Sequence, residues 1–198
     1  PTVKVTEVVA NNYSTPSVSV QGTVSKGSGN DYVEVYRSTN KDKGYKLLGS
    51  CYAGGGSYSY YDATVAPGTK YYYKVRALSD YQGGAKSGYT GVKSTTVALP
   101  QANVYAEYDN GKIMLTAYAE NYMSRCEIYR STSKKDGYKK IATVAASGNQ
   151  ATYTDSKVSN NTTYYYKVLP YYYNRDTQKN YKGKYSEPDK VKTLLGSI

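Results

Sequence analysis

The chain has 198 residues, room for one large β domain or two small ones at roughly 100 to 150 residues per domain. It carries 28 tyrosines yet no phenylalanine, tryptophan or histidine. The missing histidine removes the commonest metal ligand and neutral-pH acid–base, and with it most metal-hydrolase, Ser-His and Cys-His designs.

Twenty-six basic against 15 acidic side chains give +11, which favours solubility and contact with anionic surfaces but is silent about fold. The charge is even along the chain, +5 over residues 1–99 and +6 over 100–198, and no block of like charge suggests more than a solvated surface. Cys51 and Cys126 stand too far apart for a metal or redox motif. No apolar run approaches the roughly 20 residues of a membrane helix. The start at Pro1, without methionine, suggests a piece of something larger.

In chain order, the first half reads as seven short strands near 3–9, 17–24, 32–38, 45–50, 57–61, 70–78 and 89–97. Each is rich in Val, Tyr, Thr and Ile with alternating polarity and lies between turn residues. The second half repeats them near 103–108, 112–118, 125–131, 138–144, 151–154, 163–169 and 186–194. VEVYRST (33–39) matches CEIYRST (126–132), and TKYYYKV (69–75) matches TTYYYKV (162–168), both at an offset of 93. GYT (88–90) matches KYS (184–186) at 96, so length changes fall in connections, as they do for loops on a rigid scaffold.

Turn chemistry supports these boundaries. Asp109-Asn110-Gly111 is a hairpin signal, and Pro67-Gly68 in one copy stands where Asn160-Asn161 stands in the other. Leu99-Pro100-Gln101 is a short linker, which suggests modules set end to end with limited freedom. No segment sustains a helical period. The pattern predicts an all-β chain of two tandem immunoglobulin-like β-sandwiches, residues 1–98 and 99–198.

The runs YRST, YKK-I, Y-D and V-PGT-YYYKVRA together resemble the fibronectin type III-like modules of secreted and surface proteins of Gram-positive bacteria. The resemblance covers most of both copies. It implies that Tyr71 and Tyr164 are corner tyrosines whose hydroxyls bond nearby backbone. Tyr73, Val75, Ala77, Tyr166 and Val168 share their strand parity and should face the core, with Val33, Val35, Cys126 and Ile128 lining the opposing sheet. Two departures stand out. The family's second-strand tryptophan falls on Gly22 and Ala117, and Pro170 interrupts an expected interior strand, where a bulge or early end is anticipated.

Candidate chemistry is sparse. Cys126 reads as core filler, and Cys51 lies outside the clear core pattern with no basic or helical activator to make it reactive. Asp62 and Asp155, in matching Tyr-x-Asp positions, read as caps on their own turns rather than catalytic carboxylates. The glycine runs 27–29 and 54–56 precede no helix and so are not phosphate loops. Matches to the glycosylation pattern at Asn12, Asn160 and Asn161 are frequent by chance in such a composition.

The tyrosines divide more informatively. Seven pairs repeat between the copies (Tyr36/Tyr129, Tyr45/Tyr138, Tyr60/Tyr153, Tyr71 to Tyr73 with Tyr164 to Tyr166, Tyr89/Tyr185) and read as scaffold. Of the others, Tyr122 lies in the second module's second connection, and Tyr171, Tyr172, Tyr173, Arg175 and Tyr181 lie in its last hairpin. Both connections should emerge at one end of the sandwich. Such a cluster suits a protein paratope or a sugar-stacking platform, and equally a hairpin held by its own cross-strand aromatics.

The expectation is a non-enzymatic extracellular binding or adhesion segment of a bacterial secreted or cell-surface protein. Its partner would be a host or bacterial surface protein or a glycan, with no cofactor, metal, nucleic acid or membrane span. The alternative makes the modules spacers in a polysaccharide- or peptidoglycan-active enzyme, with the positive charge holding anionic cell-wall polymer.

Overall fold

The computed structural model describes residues 2–25, 31–79 and 84–194, and the glycine run at 27–29 lies outside them. The chain divides into two compact units, Pro1–Ala98 and Leu99–Ile198. In the first, β1 (Val3–Asn12), β2 (Pro16–Val24) and β5 (Ser57–Asp62) form a three-stranded antiparallel sheet in the order β1-β2-β5. Its companion sheet runs β4-β3-β6-β7, from β3 (Tyr32–Ser38), β4 (Lys46–Tyr52), β6 (Lys70–Leu78) and β7 (Lys93–Thr96).

The second unit repeats the plan. β8 (Ala102–Asp109), β9 (Lys112–Ala119) and β12 (Gln150–Asp155) form one sheet. In the other, β11 (Lys139–Ala145) and β10 (Arg125–Ser131) precede the long β13 (Thr163–Asn174), whose far side pairs with β14 (Lys179–Lys182) and then β15 (Asp189–Lys192). The protein is thus all-β, with two immunoglobulin-like, fibronectin type III-like sandwiches. Among the described residues the helical structure is one 3-10 turn at Gly54–Gly56.

Strand alternation builds each core. Val18, Val20, Val33, Val35, Tyr73 and Val75 are fully buried in the first module; Ile113, Cys126, Tyr166 and Val168 are so in the second. Each such side chain contributes about 1.5 to 3 kcal/mol by leaving water. One expectation is corrected here. Val33 and Val35 do not oppose the tyrosine strand across the core; they pair with Ala77 and Val75 within the same sheet. Cys126 and Ile128 likewise pair with Pro170 and Val168. Inward residues on hydrogen-bonded neighbours share a face, so pattern alone did not separate neighbouring strands from facing ones.

Pro170 also behaves differently from expectation, because β13 passes through it without a bulge in its pairing to β10. Its carbonyl accepts the Gly183 N–H at 2.8 Å, so the side from which its N–H is missing faces β14 rather than β10. No β10 ladder bond is lost. An added Cβ at Gly183 would overlap the Pro100 carbonyl and approach Pro170 Cγ at 2.9 Å, so only glycine lets the chain pass so close.

The last strand of each module is shorter than its pattern. Ser87 and Thr90 hydroxyl oxygens accept the Ala77 and Val75 N–H groups at 2.9 and 3.1 Å, and Ser186 Oγ accepts that of Val168 at 3.0 Å. Side-chain acceptors replace backbone ones there, so regular pairing begins only at Lys93 and Asp189. The turns follow their residues. Asn110 and Gly111 have φ of 45° and 81° between the paired Asp109 and Lys112, and Gly68 (76°) matches Asn161 (49°).

Candidate binding site at the hairpin of the second module

Two buried networks, one per module, account for the repeat-matched acids. Asp62 Oδ2 accepts hydrogen bonds from Arg37 at 2.7 Å and from the Tyr73 hydroxyl at 2.8 Å, while its Oδ1 accepts the Thr64 N–H at 3.0 Å. Asp155 repeats this with Arg130 at 2.8 Å, Tyr166 at 2.9 Å and the Lys157 N–H at 3.1 Å. The turn bond is the expected one; the arginine and the buried phenol are not readable from Tyr-x-Asp. With both oxygens engaged, neither carboxylate is placed for catalysis. The corner tyrosines act as the resemblance implies, Tyr71 and Tyr164 Oη accepting the N–H groups of Ala66 and Ser159, each at 2.9 Å.

The cysteines also fall into matched places. Val33 pairs with Cys51 across β3 and β4, and Cys126 with Val144 across β10 and β11, so each module has one Val–Cys pair in opposite order. Burial pushes both thiols up to about 11, which keeps them un-ionised and unreactive near neutral pH. At the tryptophan position, the Tyr58 hydroxyl reaches over Gly22 to donate to the Lys4 carbonyl at 3.1 Å. A Cβ on Gly22 would overlap both groups. The second module instead pairs Ala117 with Ala151.

Tyr60 and Tyr153 pack half-buried against the cores from the smaller sheets, and the other repeated tyrosines serve two purposes. Tyr71, Tyr73, Tyr164 and Tyr166 are buried. Tyr36, Tyr72, Tyr129 and Tyr165 point outward from the larger sheets, joined there by Tyr45, Tyr89, Tyr138 and Tyr185. Tyr36 meets Tyr89 edge-on at 5.1 Å, as Tyr129 meets Tyr185 at 5.2 Å. Lys74 sits over Tyr45 and Tyr89 at 4.4 and 4.0 Å, and Lys167 over Tyr138 at 4.6 Å.

The candidate hairpin is where the copies part company. β13 has 12 residues against 9 in β6, and where β14 pairs along β13 the described residues of the first module hold one isolated bridge, Leu78 with Lys86. Tyr172 pairs with Tyr181 across β13 and β14, and their rings stack at 6.5 Å with an interplanar angle of 27°. Tyr122 lies 5.0 Å from Tyr172, so the two connections do meet at one end.

Tyr122 itself is corrected from contact residue to floor. It is 0% exposed, and burial pushes its phenol, like that of Tyr172, above the ordinary tyrosine value. It holds the stack in place without offering a surface. Alternation turns Tyr171 and Tyr173 to the opposite side of β13 from Tyr172. There the Arg125 guanidinium covers the Tyr171 ring at 4.1 Å, while Tyr173 is 40% exposed. Arg175 is exposed in the turn.

The base of the hairpin is fixed by the neighbouring connection. Ser124 donates its N–H to the Tyr171 carbonyl at 2.7 Å and accepts the Tyr173 N–H on its Oγ at 2.9 Å. Asn121 Oδ1 accepts the Gln101 and Tyr122 N–H groups, and its amide donates to the Leu99 carbonyl. The tyrosines are therefore presented by anchored backbone, and little ordering remains for a partner to impose. Among the described residues no cluster of His, Cys, Asp and Glu could hold a metal.

No family model matches this chain, and no curated protein does. Among solved structures it is similar to the selenomethionine-substituted chicken interferon gamma receptor alpha chain, at 14% identity and TM-score 0.48, covering 98% of this chain and 99% of that one. It is also similar to a two-domain fibronectin type III segment of chicken tenascin (10%, TM-score 0.45, 96% and 98% covered). A third is the FN1–FN3 segment of chicken CNTN1 (15%, TM-score 0.35, 98% and 68%). At these values the likenesses add no argument to what the strand order establishes. No helix among the described residues is long and apolar enough to cross a membrane.

Proposed function

We propose that the chain is a non-catalytic extracellular binding segment of a bacterial secreted or surface protein, holding a protein or glycan partner at the β13–β14 hairpin. The observation that carries this is the departure from repeat symmetry. Among the described residues the second module pairs a full strand, β14, where the first has a single bridge, Leu78 with Lys86, and its unrepeated tyrosines gather there on anchored backbone. Tyr173, Arg175 and Tyr181 would make contact, Tyr172 would form the stack, and Tyr122 would support it. Rigid amphipathic tyrosines give contact area at small entropic cost.

The test is a glycan and surface-protein array probed with the whole chain and with a variant carrying Tyr173→Ser, Arg175→Ser and Tyr181→Ser. Tyr172 is kept because it packs on the buried Tyr122. The wild type should retain a partner that the variant loses, with the unfolding midpoint nearly unchanged. Equal capture by both would remove the hairpin from the account, and no capture by either would favour the spacer reading.

A further inference from the structure

The outer faces of the larger sheets concentrate charge that is evenly spread along the sequence. In the first module, cross-strand register places Lys70, Lys74, Arg76 and Lys86 on the outward side with Glu34 as the acidic strand residue. In the second it places Arg125, Lys140, Lys167, Lys182, Lys190 and Lys192 there with Glu127. Four bases less one acid give +3, and six less one give +5, so strand positions on these two faces account for +8 of the chain's +11.

The outward strand positions of the smaller sheets carry Lys4, Glu7, Glu107, Asp109 and Lys112, a net −1. Each sandwich therefore has one basic and one nearly neutral broad side.

The cations are interleaved with aromatic rings. Lys74 faces Tyr36, Lys167 and Lys140 face Tyr129, Lys182 and Arg125 face Tyr171, and Lys190 faces Tyr165. Six of the ten cations thus face a ring, and Lys70, Arg76, Lys86 and Lys192 face Thr96, Glu34, Leu78 and Thr163, so no like-charge pair stands directly across the strands on a face this basic. A bound polyanion would relieve the remaining self-repulsion.

The rings also narrow the class of polyanion. A cation covers one face each of Tyr45, Tyr89, Tyr138 and Tyr171 at 4.0 to 4.6 Å, which leaves these four rings less open to stacking. Single-stranded nucleic acid needs open ring faces on which bases stack. An acidic sugar polymer needs fixed cations for its anionic groups and hydroxyl partners for its sugars. We infer that the outer face of β4-β3-β6-β7, and that of β11-β10-β13 with β14 and β15, each dock an anionic polysaccharide. This surface lies on the side of β13 opposite the Tyr172–Tyr181 stack and does not depend on it; Tyr173 shares the outer side, and the variants below leave Tyr173, Arg175 and Tyr181 in place.

The test measures binding of polygalacturonate to the whole chain by calorimetry at rising NaCl, with neutral dextran alongside. One variant replaces Lys70, Lys74, Lys167, Lys182, Lys190 and Lys192 with Gln. A second, with the same net charge, replaces Lys4, Lys41, Lys43, Lys112, Lys134 and Lys135 with Gln. The face variant should bind about 100-fold more weakly, six exposed ion pairs being lost together, and should show a flatter salt dependence, with its melting midpoint kept. The second variant should stay within about 3-fold, since screening limits what distant charges add, and dextran should not bind. Equal weakening in both variants, or no binding of polygalacturonate by the wild type, would overturn the inference. Tighter binding of oligo(dT) or of vesicles rich in phosphatidylglycerol than of polygalacturonate would overturn the polysaccharide as occupant.

Discussion

Replacing Tyr166 with Phe removes one oxygen and leaves the ring, so the change reads the worth of a single buried hydrogen bond. Asp155 Oδ2 would keep the Arg130 bond at 2.8 Å and lose that from Tyr166 at 2.9 Å. The Asp155 side chain is only 3% exposed, so water cannot take the phenol's place. A hydrogen bond to a charged group contributes about 1.5 to 3 kcal/mol, and the variant should lose about 2 kcal/mol. That corresponds to a fall of roughly 10 °C in the midpoint of a module of this size.

The assay is hydrogen exchange of the whole chain, read on peptides from each module. Protection in β13 should fall about 30-fold, which is 2 kcal/mol at 1.4 kcal/mol per decade, while the first module is unchanged. Tyr73→Phe should give the mirror result, because Asp62 Oδ2 has the same two partners. Tyr165→Phe, on the outer face, should change protection by less than about 3-fold. A Tyr166→Phe effect no larger than that of Tyr165→Phe would refute the reasoning.

Other consequences follow from particular contacts. Gly22→Ala should destabilise the first module by about 2 to 3 kcal/mol, since its Cβ overlaps the Lys4 carbonyl and the Tyr58 hydroxyl; a melt within about 1 °C of wild type would count against this packing. Burial opposes ionisation of Glu34, but hydrogen bonds from Tyr36 and Arg76 outweigh it and set its pKa below the ordinary 4.5. A hydrogen bond from Tyr129 leads the same effect at Glu127. A lowered folded pKa means stability that is present above the unfolded value and lost as pH falls through the folded one. Glu34→Gln with Glu127→Gln should therefore flatten the decline in urea midpoint below about pH 5, and an unchanged acid limb would contradict it. With both thiols pushed up to about 11, Cys51 and Cys126 should label with iodoacetamide at neutral pH only once urea unfolds the chain. Prompt labelling of Cys51 would show that its strand opens.

Much of the fold was legible because it rests on local rules: period-two alternation, Asn-Gly and Pro-Gly turns, and a repeat that doubles every signal. What stayed hidden depends on which strands adjoin. Neither the shared sheet of Val33 with Ala77 nor the harmless side of Pro170 follows from parity. Equally, Ser87, Thr90 and Ser186 replace ladder partners by side-chain chemistry that looks like ordinary strand composition. The site was half legible. The repeat comparison singled out the hairpin as a candidate, but Tyr122 could be told from Tyr173 only by packing.

The absent phenylalanine acquires a partial account. Buried Tyr58, Tyr71, Tyr73, Tyr164 and Tyr166 each use the hydroxyl, towards Lys4, Ala66, Asp62, Ser159 and Asp155 respectively. Phenylalanine would leave those groups wanting a partner. The charge lesson is similar, since an even distribution along the chain became two basic faces once register was known.

The most direct test of the central claim is the exchange footprint, measured on the whole chain, of a partner from the array that is neither an acidic polysaccharide nor another polyanion. The account predicts slowed exchange in peptides spanning 171–182 and 119–124, with the β1-β2-β5 sheet unaffected. Slowing spread equally over both modules, or absent from that hairpin, would contradict it.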